Sequence, residues 1–374
     1  MSLSRIPVSI ITGFLGAGKS TLLNRILKDP DAGDTAVIIN EFGEVGIDNL
    51  LVGASGDTLV QLSNGCLCCT VRGELVDTLA SLTDAMQTGR LKAVRRVVIE
   101  TTGLADPAPV MQSVMGHPVI AQNYELDGVI TVVDAVNGLA TLDRHREAVK
   151  QVAVADRLIV SKAAMAGEDL LRQLHDRLDQ LNPRAAKMDA DTPEAGRAEV
   201  LDNGLYDPAT KIAEVDRWLL DEIADLHHDH HGHDHGSHPG HHHHDVNRHG
   251  DGIRSFSIIH DRPIDPMAIE MFVDILRSAH GEKLLRMKAV VALSDDPERP
   301  LVLHGVQSIF HPPQRLAAWP KGSDRRTRMV LITQDLPEEF VGDLFAAFTG
   351  QPRVDRPDHA ALASNPLAIP GFRQ

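Results

Sequence analysis

Cysteine is nearly absent from this 374-residue chain: Cys66, Cys68 and Cys69 are its three thiols. An odd, tightly clustered set is a poor disulfide framework, and a reducing compartment is the better reading. Long apolar runs are missing as well, since no stretch approaches the roughly 18 uninterrupted apolar residues of a membrane-spanning helix. Residues 1–8 carry an arginine but no apolar segment followed by a small-residue cleavage site. A cytoplasmic protein without a membrane partner is therefore expected. Positive charge is also scarce. Lys and Arg number 37 against 52 Asp and Glu, a formal charge of -15, which argues against nucleic acid or an anionic membrane surface as a partner.

What is present begins with size. A chain of 374 residues exceeds the roughly 250–300 at which single cores stop growing, so two ordinary domains are expected. Hydrophobic residues at 43% and charged residues at 24% match soluble globular proteins and exclude wholesale disorder. Histidine is the anomaly: of 20 in the chain, 12 fall between His227 and His249, interleaved with Asp and Gly.

Up to about Pro183, near-continuous apolar runs at residues 8–12, 35–40, 94–100, 128–134 and 157–161 alternate with amphipathic stretches at 20–28, 73–86, 106–115 and 168–181. Strands that are apolar throughout are buried on both faces, as in a parallel sheet. The pattern predicts a doubly wound, mainly parallel α/β domain. The signal weakens beyond Pro183, and the histidine tract breaks the composition as a linker or surface loop does. A smaller α+β unit follows, with strands expected at 253–260, 283–293, 301–310 and 328–333 and helices at 265–279 and 338–348. The proline-containing last twenty or so residues read as a tail.

Gly13-Phe-Leu-Gly16-Ala17-Gly18-Lys19-Ser20 fits G-x-x-x-x-G-K-[ST] directly after an apolar strand and at the start of a helix, followed by Thr21. Glycines let backbone N–H groups close around phosphate oxygens, the helix start adds its positive dipole end, and Lys19 neutralises the β and γ phosphates. Ser20 is the expected Mg²⁺ ligand. Residues 97–103 form a second element, an apolar strand ending in Glu100, with Gly103 three residues on. Such a carboxylate can organise Mg²⁺ or its water, and the glycine can offer its N–H to a γ-phosphate. Asp134 ends a later strand in a comparable position, with a solvated strand-end acid as the plain alternative. At the end of another strand, Ser161-Lys162-Ala163-Ala164 occupies the place where GTP-specific proteins carry Asn-Lys-x-Asp. The Lys162 stem can pack on a purine face, but Ala164 stands where an aspartate would accept from guanine; Glu168 or Asp169 could substitute through a loop shift.

Gly65-Cys66-Leu67-Cys68-Cys69 can converge three thiols on one ion, close to a helix start that favours thiolates. Soft sulfur favours Zn²⁺ or Cu(I), accommodates Co²⁺ and Ni²⁺, and disfavours Mg²⁺. Structural zinc normally takes four protein ligands, so three thiolates leave one position open, which suits delivery better than storage; three inert cysteines are the plain alternative. Residues 40–48, acidic and punctuated by glycine, occupy the place of a switch segment leading towards Cys66. Glu41 reads as a fourth metal ligand, a switch carboxylate or an ordinary loop acid. The histidine tract reads as a weak multivalent collector of divalent metal rather than a terminal expression tag, with a solvating linker as the plain alternative.

Gly13-Phe-Leu-Gly-Ala-Gly-Lys-Ser20, Asn40-Glu-Phe-Gly43, Gly65-Cys-Leu-Cys-Cys69 and Glu100-Thr-Thr-Gly-Leu-Ala-Asp-Pro107 together closely resemble the CobW-like metal-handling GTPases, relatives of the enzymes that insert nickel into hydrogenase and urease. The resemblance is strong to about Ala186 and looser through Leu284-Leu-Arg-Met-Lys288 and His304-Gly-Val306. It implies GTP hydrolysis with Lys19, Glu100 and Gly103 in the catalytic machinery. Gly13, Gly16, Ala17, Gly18, Lys19, Ser20, Thr21 and Lys162 would hold nucleotide, Ser20 would hold Mg²⁺, and Cys66, Cys68 and Cys69 would hold Zn²⁺ or Co²⁺. A client metalloprotein or cobalt-insertion enzyme is the implied partner. Residues 1–190 are then a P-loop GTPase domain, 191–252 a connector with the histidine-rich loop at 227–249, 253–350 a CobW C-terminal-like α+β domain, and 351–374 the tail. A non-enzymatic, nucleotide-tuned zinc buffer and an ATP-preferring P-loop NTPase are the rival readings.

Overall fold

The computed structural model describes residues 5–39, 59–61, 70–183, 185–202, 252–319 and 323–350. The strands β1 (Ile6–Thr12), β2 (Thr35–Ile39), β3 (Leu59–Gln61), β4 (Arg96–Glu100), β5 (Tyr124–Asp134), β6 (Arg157–Ser161) and β7 (Ala186–Asp189) form one seven-stranded sheet in the order β3-β2-β4-β1-β5-β6-β7. The sequence predicts a mainly parallel sheet; every pairing in it is parallel. Consecutive residues of β1 and β4, such as Ile10 with Ile11 and Val97 with Val98, point to opposite faces yet are all buried, because helices cover both sides.

Helix α1 (Lys19–Ile26) covers one face through Leu22, Leu23 and Ile26, aided by buried residues of the 190–201 segment. The other face carries α2 (Thr70–Gln87), α3 (Ala108–Gly116) and α4 (Pro118–Asn123), then α5 (Gly138–Arg144), α6 (Arg146–Ala153) and α7 (Glu168–Leu181). Helix α7 occupies the span its periodicity predicts. Its Leu174, Leu178 and Leu181 face the sheet, and the acids Glu168 and Asp169 complement the dipole at its first turn. Among the described residues, no helix is long and apolar enough to cross a membrane.

A second, antiparallel sheet contains β8 (Ile253–His260), β9 (Leu284–Val291), β10 (Leu301–Val306), β11 (Ile309–Phe310), β12 (Gln314–Arg315) and β13 (Thr327–Gln334). The sequence predicts one strand over 301–310. Instead the chain reverses at Gln307, whose φ is 54, and β11 pairs back on β10. Helices α8 (Pro266–His280) and α9 (Glu338–Phe348) lie on one face, where Phe272, Leu276, Val341 and Phe345 pack on Met287, Met329 and Leu331. Asp265 caps α8 by accepting from Met267 N at 2.8 Å, and Pro266 suits the first helical position.

The opposite face of this sheet meets the parallel domain. Leu285, Val306 and Ile332 join the core of α2, α3 and β1, and Ile309 packs on Gly116 so closely that a Cβ there would lie 3.0 Å from its Cγ2. Polar contacts fix the junction. Arg286 donates to Val154 O and Asp156 Oδ1, Lys288 donates to Asp156 Oδ1 at 2.6 Å, and Gln112 donates to Gln307 at 2.5 Å. Asp156 Oδ2 accepts from Val129 N at 2.9 Å, so the carboxylate also belongs to the parallel sheet. Burial alone would raise its pKa, but Arg286 and Lys288 hold it well below the usual carboxylate range.

Candidate functional site

The parallel register brings the carboxyl ends of β1, β4, β5 and β6 together, where open α/β sheets bind ligands. From β1 the chain turns through residues 13–18 into α1. Gly13, Gly16 and Gly18 have φ of 136, 75 and 98, values that L side chains rarely adopt. At Gly13 space is a second constraint, because a Cβ would sit 2.2 Å from Val132 O. Lys19 is buried, and its Nζ donates to Gly13 O at 3.0 Å and Phe14 O at 3.3 Å, so the ammonium is folded back over the loop. Ala17 is buried in the α1 core, whereas Ser20 and Thr21 face outward at the start of the helix.

Glu100 arrives at the same place on β4. Ile11 and Glu100 are register partners, and Ser20 Oγ donates to Glu100 Oε1 at 2.8 Å. Thr101 reinforces the alignment by donating its N–H to Ile11 O at 2.9 Å and its hydroxyl to Thr12 Oγ1 at 2.7 Å. Beyond it, Gly103 lies directly against the glycine-rich loop: a Cβ would approach Leu15 N to 2.5 Å, leaving room for no other residue. A hydroxyl and a carboxylate side by side at the helix start are hard oxygen donors, the set a magnesium ion takes beside phosphates. Ser20 and Glu100 therefore fit that ion.

Two residues without a sequence signal brace the Gly103 loop. Buried Gln151 on α6 donates to Gly103 O at 3.2 Å and Ala105 O at 3.0 Å, while Lys150 pairs with Asp106 at 3.0 Å. A glutamine within an amphipathic helix reads as an ordinary polar position; only the fold shows that it faces two carbonyls.

Lys162 and Ser161 close the other side. Ser161 Oγ donates to Ala17 O at 2.6 Å, and Lys162 Nζ donates to Gly16 O at 2.9 Å and to Asp134 Oδ2 at 2.7 Å. Asp134 also accepts from Val136 N, Asn137 N and Asn137 Nδ2. Burial would raise its pKa, but the hydrogen bonds from Lys162 and Asn137 hold it below the ordinary value. Asp134 thus anchors Lys162. A cavity of about 220 Å³ runs beneath the loop between Phe14, Asp134, Gln151 and Lys162.

Glu41, Cys66, Cys68, Cys69 and the histidines of 227–249 lie outside the described residues. Among the described residues, no group of three His, Cys, Asp or Glu side chains is arranged to hold a metal ion.

Comparison with known proteins agrees with this geometry. Residues 7–189 match the CobW/HypB/UreG nucleotide-binding domain and residues 253–349 the cobalamin synthesis protein cobW C-terminal domain. The chain is 34% identical over 349 residues to the zinc chaperone YjiA of Escherichia coli, covering 92% of this chain and 98% of the relative. It is 33% identical to the zinc chaperone CobW of Pseudomonas aeruginosa, covering 91% of each. The crystal structure of Zn(II)-bound YjiA GTPase from E. coli superposes with a TM-score of 0.65 at 30% identity, over 92% of this chain and 99% of that one. With a glycine-rich phosphate loop closed by Glu100 and Gly103, a parallel sheet behind it and an antiparallel domain docked on its flank, the chain belongs to the CobW family of P-loop NTPases.

Proposed function

We propose that the protein is a cytoplasmic, GTP-hydrolysing metallochaperone that binds Zn²⁺ or Co²⁺ through Cys66, Cys68 and Cys69, with Glu41 as a further ligand, and passes it to a client metalloprotein or cobalt-insertion enzyme. The observation that carries the reading is the meeting of Ser20, Glu100 and Gly103 on the glycine-rich loop. Relatives named zinc chaperones, similar over nine-tenths of the chain, support the cargo. In this reading residues 1–190 form the nucleotide domain, 191–252 the connector, 253–350 the second domain and 351–374 the tail.

Lys19 neutralises the β and γ phosphates, and the loop amides of Gly13, Gly16, Ala17 and Gly18 cradle them. Ser20 and Glu100 would hold Mg²⁺, which would supply charge neutralisation for phosphoryl transfer to water. The Gly103 N–H donates to the γ-phosphate, and Gln151 and Lys150 keep its loop in place. Because residues 40–48 lie between the phosphate loop and the thiols, nucleotide state alters the geometry of the metal site.

Titration of Zn²⁺ and Co²⁺ into the full chain, with Mg²⁺ and either a non-hydrolysable GTP analogue or GDP, tests this. One tight site whose affinity depends on the nucleotide is expected. If replacing the three cysteines by serine leaves that dependence unchanged, the mechanism is wrong. Deleting residues 227–244 separates it from a zinc buffer, which would lose most of its bound metal.

A further inference from the structure

The purine-binding corner keeps two parts of a three-part device and has lost the third. Asn-Lys-x-Asp does three things in a GTP-specific site: its first residue ties the strand end to the phosphate loop, its lysine stem floors the base, and its aspartate accepts from guanine N1–H and the exocyclic amine. Here Ser161 keeps the tie through Ala17 O at 2.6 Å. Lys162 is held over the loop by Gly16 O and Asp134, with its backbone at φ 59 setting the turn that follows. The next two residues, Ala163 and Ala164, begin a short turn closed by Met165 N to Lys162 O at 3.0 Å, and Ala164 is exposed. Its methyl group can accept nothing.

Asp134 is committed by four accepted hydrogen bonds, and Asp189 Oδ1 accepts from Asp191 N at 2.8 Å, while Glu168 and Asp169 stand in the first turn of α7, where Asp169 makes an exposed pair with Arg172. Losing a carboxylate acts on both bases. Guanine loses the acceptor for two donors, while adenine, whose N1 is itself an acceptor, is relieved of a repulsive neighbour.

From this selective loss, and resting on the nucleotide-binding part of the proposed function, we infer that the site takes purine nucleotides without strong guanine selection. Guanine and adenine nucleotides both bind, with affinities within about tenfold of each other. Sites built to pair a polar edge reject analogues lacking it by about 10⁴–10⁵-fold, and this site has no such edge-reading group at position 164.

The test is displacement of a fluorescent nucleotide from the full-length chain by GDP, ADP and XDP, for wild type, Ala164→Asp and Ala164→Asn. Wild type is expected to bind GDP and ADP within about tenfold. Ala164→Asp should tighten GDP by about 100-fold and weaken ADP, and Ala164→Asn, whose amide can donate to the xanthine 2-oxo group, should favour XDP instead. Position 164 is solvent-facing, so the wild-type ratio and the variant shifts are both readable. A wild-type preference for GDP of about 1,000-fold overturns the inference, and its loss in Glu168→Gln or Asp191→Asn would name the group that reads guanine. Absence of any nucleotide binding overturns the proposed function along with it, whereas guanine selectivity overturns this inference alone.

Discussion

The two sheets solve different problems with different hydrogen-bond geometry. The parallel sheet is covered on both faces, so its strand sides are spent on packing and its chemistry gathers at the carboxyl ends, where Ser20, Glu100, Gly103 and Lys162 meet. The antiparallel sheet packs helices on one face and spends the other on its neighbour, through Arg286, Lys288 and Leu285. One region is organised around a ligand and the other around an attachment. Their separation implies that each can be damaged without the other.

Removing the attachment should have the largest effect. Asp156→Ala leaves Arg286 buried without its carboxylate, a loss of about 3–5 kcal/mol for a broken buried pair. Denaturant unfolding should split into two transitions while nucleotide affinity stays within a few-fold of wild type. The converse change is Lys19→Ala. Hydrolysis, measured as phosphate release, should fall by about 100–1,000-fold, with the unfolding of the second domain unmoved. Smaller again is Gln112→Ala, which deletes one hydrogen bond across the junction and should lower stability by ~1 kcal/mol in the same unfolding assay.

Acid supplies the mildest probe. The folded pKa of Asp156 lies below its unfolded value of about 3.9, so its contribution is complete above that pH and is lost as pH falls through the lowered folded value. The stability gap between wild type and Asp156→Ala should therefore be constant from about pH 8 to pH 5 and should narrow only below about pH 4. A gap that closed near neutrality would assign the junction to other groups.

The phosphate loop was legible because its chemistry is local: glycines at fixed offsets, a lysine and a serine next to an apolar strand. Glu100 and Gly103 were legible for the same reason, as a strand end and the turn after it. Non-local support was not. Gln151 faces Gly103 and Ala105 across nearly fifty residues of chain, and Ser161 reaches Ala17, pairings that no periodicity encodes. Among the elements, α7 announced itself by leucines at helical spacing. The short α5 and α6 did not, because His145 interrupts them and neither begins with a side-chain cap. Strand β7, Ala-Lys-Met-Asp at the sheet edge, lacks the apolar run that marked its neighbours, and its burial pattern shows why: it is only half covered.

The junction at Asp156 has a thermodynamic consequence. Because Arg286 and Lys288 meet their partner only when the domains are docked, the second domain behaves as a covalently supplied ligand of the first. Whatever free energy docking releases adds to the apparent stability of the parallel sheet, as mass action requires of anything that binds the folded form alone. The residues that receive it, Val154 and Asp156, stand three and five positions beyond Gln151, which with Lys150 holds the Gly103 loop. A single short stretch of backbone thus carries both the docking contacts and the brace of the Gly103 loop.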